Sequence, residues 1–422
     1  MLRYGNIIKT INLISGVLKF CMKKIAFIVR LFQDKSFYAG SEKFIYKIIN
    51  EFIKNNYLVD VYCNELDINN NRINPNYTNL VRIKNVNGIN EIILCDDGSD
   101  LSIPQQAEAY YDKIQIMLDE RQYDFAITDG IAPKIDMTLL QVHSLINKRF
   151  KNKNFFLKLY YKKYKPKMIQ DVNCEEKWIT QNHRKIFVVS NRLKEDYVSN
   201  FNIPENKISI IYPGIDLTEE VEKKKDTDVF TFGISATFFK RKGGLLFIRA
   251  LRKVKQKGCK FKAYIILRNN SGSKMRWFNI LLKVFNITKE VEFISFQNDM
   301  RDFYKKIDCL VMPSHEEAFG LVALEAMINK IPCIVSSCSG VSEIIKDGFD
   351  GFVFDINKNA SSNLAKKMVY ILKNQGKINE CIINAYETAK KHTWNHTFFE
   401  LESNFNELPS KESNINTNEQ QV

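Results

Sequence analysis

Residues 310–354 constrain the fold of this chain more than any other segment. A short apolar run at 310–312 predicts a buried strand, and 313–315 follow it in a turn. A helix is expected from about Leu321, and a second apolar run at 333–335 predicts another buried strand. Strand, loop, helix and strand make one βαβ unit, whose strands are parallel. Because ligands bind at the carboxyl ends of such strands, the first loop is a candidate site.

Two glutamates frame this loop, namely Glu317 and, inside the helix, Glu325. Phe319, Gly320 and Leu321 stand between them, where backbone N–H groups at a helix N-terminus favour an anion. Glu325 lies one turn into the helix on a stripe that is otherwise apolar. A carboxylate there needs a polar partner, because burying it alone is costly, and sugar hydroxyls are suitable partners. The alternative is an ordinary helix with two surface glutamates, which would need none of the flanking glycines.

The segment resembles the signature of the family 4 retaining glycosyltransferases. That signature contains Pro-Ser, then Glu-x-Phe-Gly-Leu-x-x-Leu-Glu-Ala, then a strand and Gly-x-x-Glu. It is matched here at 313–314, 317–321, 324–326 and 340–343. The resemblance implies the GT-B fold: an α/β protein with two Rossmann-like domains facing across a cleft, and a C-terminal helix returning to the N-terminal domain.

A chain of 422 residues is too long for one hydrophobic core, so two domains are expected. With the resemblance, the predicted organisation is an extension at 1–21, an N-terminal acceptor-side domain at 22–213, a C-terminal nucleotide-sugar-binding domain at 214–391, a returning helix at 392–408 and a disordered tail at 409–422.

The extension 1–21 carries isoleucine and leucine at a helical period and predicts an amphipathic helix on a membrane surface. The alternative is that translation starts at Met22. Apolar and polar residues alternate poorly at 64–122, so the secondary structure of this segment is assigned only coarsely.

The formal net charge of +14 favours an anionic partner. Nine cysteines without a CxxC pair indicate reduced thiols in a cytoplasmic protein. Attachment to the inner face of the cytoplasmic membrane is compatible with both observations.

The segment 147–167 contains nine Lys or Arg, six aromatic residues and no acid. This composition suits anionic lipid headgroups or a phosphorylated glycolipid. Nucleic acid is the competing partner. It is not expected, because no nucleic-acid-binding motif accompanies the segment.

Two candidate residues lie in the predicted N-terminal domain. Gly40 precedes a helix and lets backbone approach a ligand there. In the resembled family this loop faces the donor diphosphate, although Gly-Gly is usual and Ala39 stands here instead. His143 follows a buried apolar run, where a core histidine is the ordinary interpretation. Resemblance to the branch that glycosylates lipopolysaccharide cores implies that His143 faces the reacting sugars.

Arg241 and Lys242 precede Gly243-Gly244 and a helix. Cations at a helix start oppose its dipole unless an anion is present, so this loop is a candidate diphosphate site. The general family pattern has an arginine where Thr237 stands, a departure again typical of the lipopolysaccharide-core branch.

The resemblance implies a retaining, metal-independent hexosyltransferase that uses a nucleotide diphosphate sugar, with UDP-sugars such as UDP-glucose favoured, and no cofactor. The acceptor would be a lipopolysaccharide core, a glycolipid or another cell-surface glycan. Arg241, Lys242 and Gly40 would bind the diphosphate, and Glu325 the ribose. Donor-sugar contacts would come from Glu317 with the backbone at 319–321, and His143 and Glu317 would act in catalysis. Phe296 is a weak candidate for the base. The alternatives are a GT-B sugar-nucleotide hydrolase or epimerase, or a non-catalytic lipid- or nucleic-acid-binding protein on the same scaffold.

Overall fold

The computed structural model describes residues 23–33, 40–68, 71–72, 79–85, 89–96, 114–116, 118–120, 122–130, 135, 137–141, 176–180, 183–217, 229–236, 239–267, 272–295 and 300–408. The predictions for 1–21, His143, 147–167, Phe296 and 409–422 lie outside these residues.

The first half of the described chain builds a mixed sheet with helices against it. Its elements are β1 (Lys24–Gln33), α1 (Gly40–Lys54), β2 (Leu58–Ile68), β3 (Asn71–Arg72), β4 (Asn79–Asn85), β5 (Ile89–Asp96), β6 (Phe125–Thr128), β7 (Met137–Leu140), β8 (Lys185–Val188), α2 (Asn191–Phe201) and β9 (Ile208–Ile210). The strand order is β5-β4-β2-β1-β6-β7-β8-β9, with β3 paired to β2. From β2 to β9 along this order every neighbouring pair is parallel, whereas β4 pairs antiparallel with β2 and β5.

The second half builds an entirely parallel sheet. Its elements are β10 (Thr231–Ser235), α3 (Gly244–Gln256), β11 (Lys262–Leu267), α4 (Gly272–Val284), β12 (Val291–Ser295), α5 (Arg301–Tyr304), β13 (Cys309–Met312), α6 (Leu321–Ile328), β14 (Cys333–Ser336), β15 (Phe352–Phe354), α7 (Ala360–Lys373), α8 (Gln375–Lys391) and α9 (Trp394–Asn406). The strand order is β12-β11-β10-β13-β14-β15. The predicted βαβ unit is present as β13, α6 and β14.

Burial explains why these apolar runs are strands. All four residues of β13 and all four of β14 are buried, as expected for parallel strands covered on both faces. The helix α1 is amphipathic instead. It buries Phe44, Ile48 and Phe52 on one face. Of its charged residues, Glu51 is also buried and forms an ion pair with Lys54 at 2.6 Å.

The last helix returns to the first sheet, as the predicted fold class requires. Phe398 of α9 contacts Phe52 edge to face with ring centroids 4.8 Å apart, and Phe405 stacks on Phe125 at 4.7 Å. The Tyr57 hydroxyl donates to Glu402 at 2.6 Å. Each aromatic pair adds about 1 kcal/mol beyond the area that it buries, so α9 is held firmly.

Two connecting segments cross between the sheets. The Ile215 amide donates to the His392 carbonyl at 2.9 Å, and the Thr397 hydroxyl donates to the Tyr212 carbonyl at 2.9 Å. A Cβ placed on Gly214 would lie 2.4 Å from the backbone of Thr393. The two backbones therefore approach so closely that only glycine fits at residue 214.

We expect Gly214→Ala to lower the free energy of unfolding by about 2 kcal/mol, because the added methyl group meets backbone that cannot rotate away. Gly376→Ala is the matched control: nothing lies within 4 Å of a Cβ built on Gly376, which is in α8. That change should be neutral or stabilise by up to about 1 kcal/mol. Urea denaturation measures both, and equal midpoints for the two variants would contradict the tight crossing.

Candidate active site

The candidate site lies where β13 and β14 end. Gly320 begins α6 with a φ of 111°, and a Cβ on it would lie 2.7 Å from the Met312 side chain. Two backbone hydrogen bonds join the loops after the two strands: Gly340 donates to the Glu317 carbonyl at 3.2 Å, and Val341 donates to the Phe319 carbonyl at 2.8 Å. The predicted sugar-binding backbone is thus fixed by its neighbour loop as well as by its own helix.

The predicted diphosphate loop packs directly on this segment. Gly243 has a φ of 74°, and a Cβ on it would lie 1.9 Å from the Pro313 carbonyl oxygen, so a larger residue cannot be accommodated. The His315 amide donates to the Arg241 carbonyl at 3.0 Å. The side chain of Lys242 forms an ion pair with Glu317.

Glu317 and Lys242 are mostly buried, with side chains 12% and 17% exposed. The same Glu317 oxygen, Oε2, also accepts a hydrogen bond from the Ser314 hydroxyl at 3.3 Å. The structure therefore joins two residues with separate predicted roles: Lys242 as a cation for the diphosphate and Glu317 as a carboxylate for the donor sugar.

Glu325 is held from both sides of the cleft. Lys43 Nζ of α1 lies 2.7 Å from its Oε1, and the Tyr304 hydroxyl donates to its Oε2 at 3.0 Å. Burial opposes the charged form of Lys43, but the Glu325 and Asp216 carboxylates outweigh it and raise the pKa of Lys43. The buried Tyr304 hydroxyl has a pKa well above its ordinary value, because burial and the Glu325 charge both oppose ionisation.

The starts of α1 and α6 face each other. A Cβ on Gly40 would lie 3.3 Å from Leu321 Cδ1. Gly40, Leu321, Glu317, Glu325 and Lys242 therefore occupy one region between the sheets. Phe319 is buried beside them, and Arg241 is exposed at the rim.

Glu343, the glutamate of the Gly-x-x-Glu segment, connects the two halves. Its carboxylate accepts hydrogen bonds from the Asn191 and Arg192 amides, at 2.7 and 2.8 Å, at the start of α2. The Tyr212 hydroxyl adds a third, at 3.1 Å. Burial and the Glu343 charge raise the pKa of Tyr212 to about 12. A carboxylate at a helix N-terminus is favourable, so this contact stabilises the approach of the two sheets.

The sequence did not identify Lys43 or Tyr304 as site residues, nor the start of α2 as the partner of Glu343. The position of Lys43 could have indicated an anionic partner, because a lysine in the first turn of a helix is unfavourable to the helix dipole unless an anion lies nearby. No local pattern pointed to Tyr304.

No group of three or more His, Cys, Asp or Glu that could hold a metal occurs within the described ranges. Metal independence stays a prediction, as do the roles of the individual site residues.

Solved structures share this architecture. WaaG, a glycosyltransferase involved in lipopolysaccharide biosynthesis, superposes with a TM-score of 0.65 at 16% identity, covering 89% of this chain and 98% of WaaG. Anabaena HepE in complex with UDP and glucose superposes with a TM-score of 0.60 at 15% identity, covering 92% of this chain and 100% of HepE. The fold is that of the GT-B glycosyltransferases.

Two family models match adjoining parts of the chain: Glycosyltransferase Family 4 at residues 126–219, and Glycosyl transferases group 1 at 217–388. An uncharacterized glycosyltransferase of Methanocaldococcus jannaschii is 31% identical over 231 residues, which is 50% of this chain and 57% of the relative. The O-antigen biosynthesis glycosyltransferase WclY of Escherichia coli is 31% identical over 182 residues, 41% of this chain and 48% of WclY.

The matches thus span about half the length of these curated relatives. With the fold and the signature, they show that the chain belongs to the family 4 GT-B glycosyltransferases, which confirms the resemblance predicted from sequence.

The Lys43–Glu325 pair is testable by a double-mutant cycle with Lys43→Met and Glu325→Gln. Both side chains are less than a quarter exposed, so we expect a coupling free energy of about 1 kcal/mol in urea unfolding. The pair Lys305–Asp302, 2.9 Å apart with Asp302 68% exposed, is the control. Lys305→Met with Asp302→Asn should couple by less than about 0.5 kcal/mol. Additive effects at Lys43 and Glu325 would mean that they do not interact in solution.

Proposed function

We propose that this chain is a retaining glycosyltransferase that moves a hexose from a UDP-sugar to a lipid-linked or cell-surface glycan. The observation that carries the proposal is the convergence of Lys242, Glu317 and Glu325 at the carboxyl ends of β13 and β14, opposite the start of α1. Family membership and the complex of HepE with UDP and glucose support it.

The diphosphate, in this proposal, binds Arg241 and Lys242 beside the starts of α3 and α6. When Lys242 turns to a phosphate oxygen, the Glu317 oxygen that accepts from Lys242 becomes available to a hydroxyl of the donor sugar. Both cations and the helix N-termini then stabilise charge on the departing diphosphate. The acceptor hydroxyl attacks the anomeric carbon on the face from which the diphosphate departs, so the new glycosidic bond forms as the sugar–phosphate bond breaks, and the acceptor proton passes to the leaving phosphate. Retention by this front-face attack requires no protein nucleophile, and His143 faces the reacting centre.

Glu325 binds the ribose in the same proposal. Lys43 and Tyr304 orient its carboxylate, and two adjacent ribose hydroxyls suit its two oxygens. Lys43 reaches Glu325 from the first sheet, so donor binding involves side chains from both sides of the cleft. The contacts to the ribose would be the same in the ground state and the transition state, so they would contribute to donor affinity more than to turnover.

The acceptor is proposed to lie at an anionic membrane surface on the cytoplasmic side. The net charge of +14 and the acid-free basic segment 147–167 support this placement. The relative WclY is an O-antigen biosynthesis glycosyltransferase, which agrees with a cell-surface glycan as product. No cofactor beyond the nucleotide sugar is part of the proposal.

Lys242 provides the first test. UDP should raise the melting temperature of the wild type by mass action. Lys242→Ala should diminish this shift and lower turnover at least tenfold, since one charge contact to a transition-state anion contributes about 2–4 kcal/mol. Lys240→Ala, an exposed lysine in the same loop, is the control and should keep both properties. Wild-type turnover in Lys242→Ala would exclude the phosphate role, and no shift with any nucleotide sugar would exclude the proposed donor class.

Steady-state kinetics separate the two glutamates. Glu325→Ala should chiefly raise the donor KM, because ribose contacts are the same in ground and transition states. Glu317→Ala should chiefly lower kcat, because its contacts tighten as charge develops on the transferred sugar. Both assays are repeated with a chelator, which should leave activity unchanged. If Glu325→Ala chiefly lowers kcat and Glu317→Ala chiefly raises the donor KM, the two glutamates have the opposite roles. Loss of activity with chelator would reject the metal-free mechanism.

A further inference from the structure

The helix α4 (Gly272–Val284) presents an apolar stripe to solvent. Trp277, Ile280 and Val284 are 50%, 60% and 66% exposed, and their spacing of three and four residues places them on one face. Phe278 and Leu282 of the same helix are buried in the core of the second sheet, so the helix is anchored and its outward face is fixed.

The charges around this stripe have a single sign. Residues 272–289 contain Lys274, Arg276, Lys283 and Lys289 and no Asp or Glu. Arg276 and Lys283 are exposed and adjoin the stripe on the helical surface. The next acid, Glu290, is engaged by Lys255 at 2.8 Å. A merely solvated face usually mixes both signs, so the absence of acids points to an anionic partner.

We propose that this face of α4 docks on an anionic lipid bilayer. Trp277, Ile280 and Val284 enter the boundary between headgroups and acyl chains, and Arg276 and Lys283 contact lipid phosphates. This combination of an aromatic residue, aliphatic residues and flanking cations is what an interfacial helix requires. At 13 residues α4 is about 20 Å long, too short to span the ~30 Å hydrocarbon core, so it lies along the surface.

A bilayer fits this face better than two other partners do. A nucleic acid would engage the cations but would leave the aliphatic side chains in water. A second copy of the chain would bring two acid-free cationic faces together, and like charges oppose such an interface. No helix in the part of the chain that the structure describes is long and apolar enough to cross a membrane.

The docking face adjoins the candidate donor site. The Trp277 ring contacts Phe239 edge to face, with centroids 6.3 Å apart. A Cβ on Gly244, which begins α3 in the predicted diphosphate loop, would lie 2.3 Å from that Phe239 ring. Docking through α4 therefore brings the loop containing Lys242 close to the lipid surface. This consequence rests on the proposed function, whereas the docking itself does not.

Vesicle co-sedimentation of the full chain tests the proposal, with phosphatidylglycerol-rich and pure phosphatidylcholine vesicles as probes. The triple variant Trp277→Ser, Ile280→Ser, Val284→Ser should bind the anionic vesicles at least about tenfold more weakly, since it removes the apolar contribution. The control replaces three exposed apolar residues elsewhere, Tyr370, Ile383 and Phe399, by serine and should bind like the wild type. Unchanged unfolding midpoints show that both variants fold.

Two further variants report on the mode of binding. The chain has three tryptophans, and Trp277 is 50% exposed whereas Trp394 is buried. Trp277→Phe should keep the binding but lose the blue shift of tryptophan fluorescence on adding vesicles. Arg276→Gln with Lys283→Gln should weaken binding at low salt and reduce its salt dependence.

Several results would overturn the proposal. Undiminished binding by the triple serine variant would assign the membrane contact to another segment, such as 147–167. Equal binding to phosphatidylcholine, or none to either vesicle, would reject the anionic bilayer as partner. A dimer of the wild type that the triple variant loses would assign the face to a second copy. The melting shift with UDP is measured without vesicles, so failure of the proposed donor site is distinguished from failure of docking.

Discussion

The close crossing of Gly214 and the backbone at Thr393 is the constraint on which the candidate site depends. The chain passes from the first sheet to the second at this point and returns through it to α9. The hydrogen bond from Ile215 to His392 fixes the crossing, and the aromatic packing of α9 on α1 fixes its far end. Because α1 also contributes Gly40 and Lys43 to the cleft, the same packing positions one wall of the site. A side chain at residue 214 would separate the two segments and shift that wall.

The site carboxylates are paired with cations, and this has energetic consequences. Glu317 has Lys242, and Glu325 has Lys43 with Tyr304. An unpaired carboxylate at 12% or 18% exposure would be costly, so the pairs stabilise a site that is rich in charge. A nucleotide sugar carries both hydroxyl donors for the carboxylates and phosphate acceptors for the lysines. Binding would exchange one set of charge-assisted contacts for another instead of desolvating isolated charges.

The sequence predicted the parts of the site that are local in the chain. The spacing from Pro313 to Glu325 identified the loop, and Gly320 and Gly243 stand where the structure needs positive φ. Contacts between distant segments were not predictable: Lys43 and Glu325 are 282 residues apart, and only the fold brings them together. The antiparallel pair β4 and β5 was also missed, because poor alternation left 64–122 without a strand pattern.

Several contacts across the cleft differ in kind from the aromatic packing of α9 on α1. Lys43–Glu325, Glu343 with the start of α2, and Lys47–Asp216 at 2.7 Å are polar. Polar contacts of this kind cost little to separate, because their groups become hydrated when they part. Separating α9 from α1 would instead expose several buried aromatic rings, a much larger cost. A widening of the cleft that keeps α9 on the first sheet would rotate the backbone at residues 213–216 and 392–393, and it would separate the Tyr212 and Phe319 rings, 5.9 Å apart, as well as these polar contacts. The close approach at Gly214 then acts as the pivot, and the polar contacts around it re-form on closure or are replaced by contacts to the ligand.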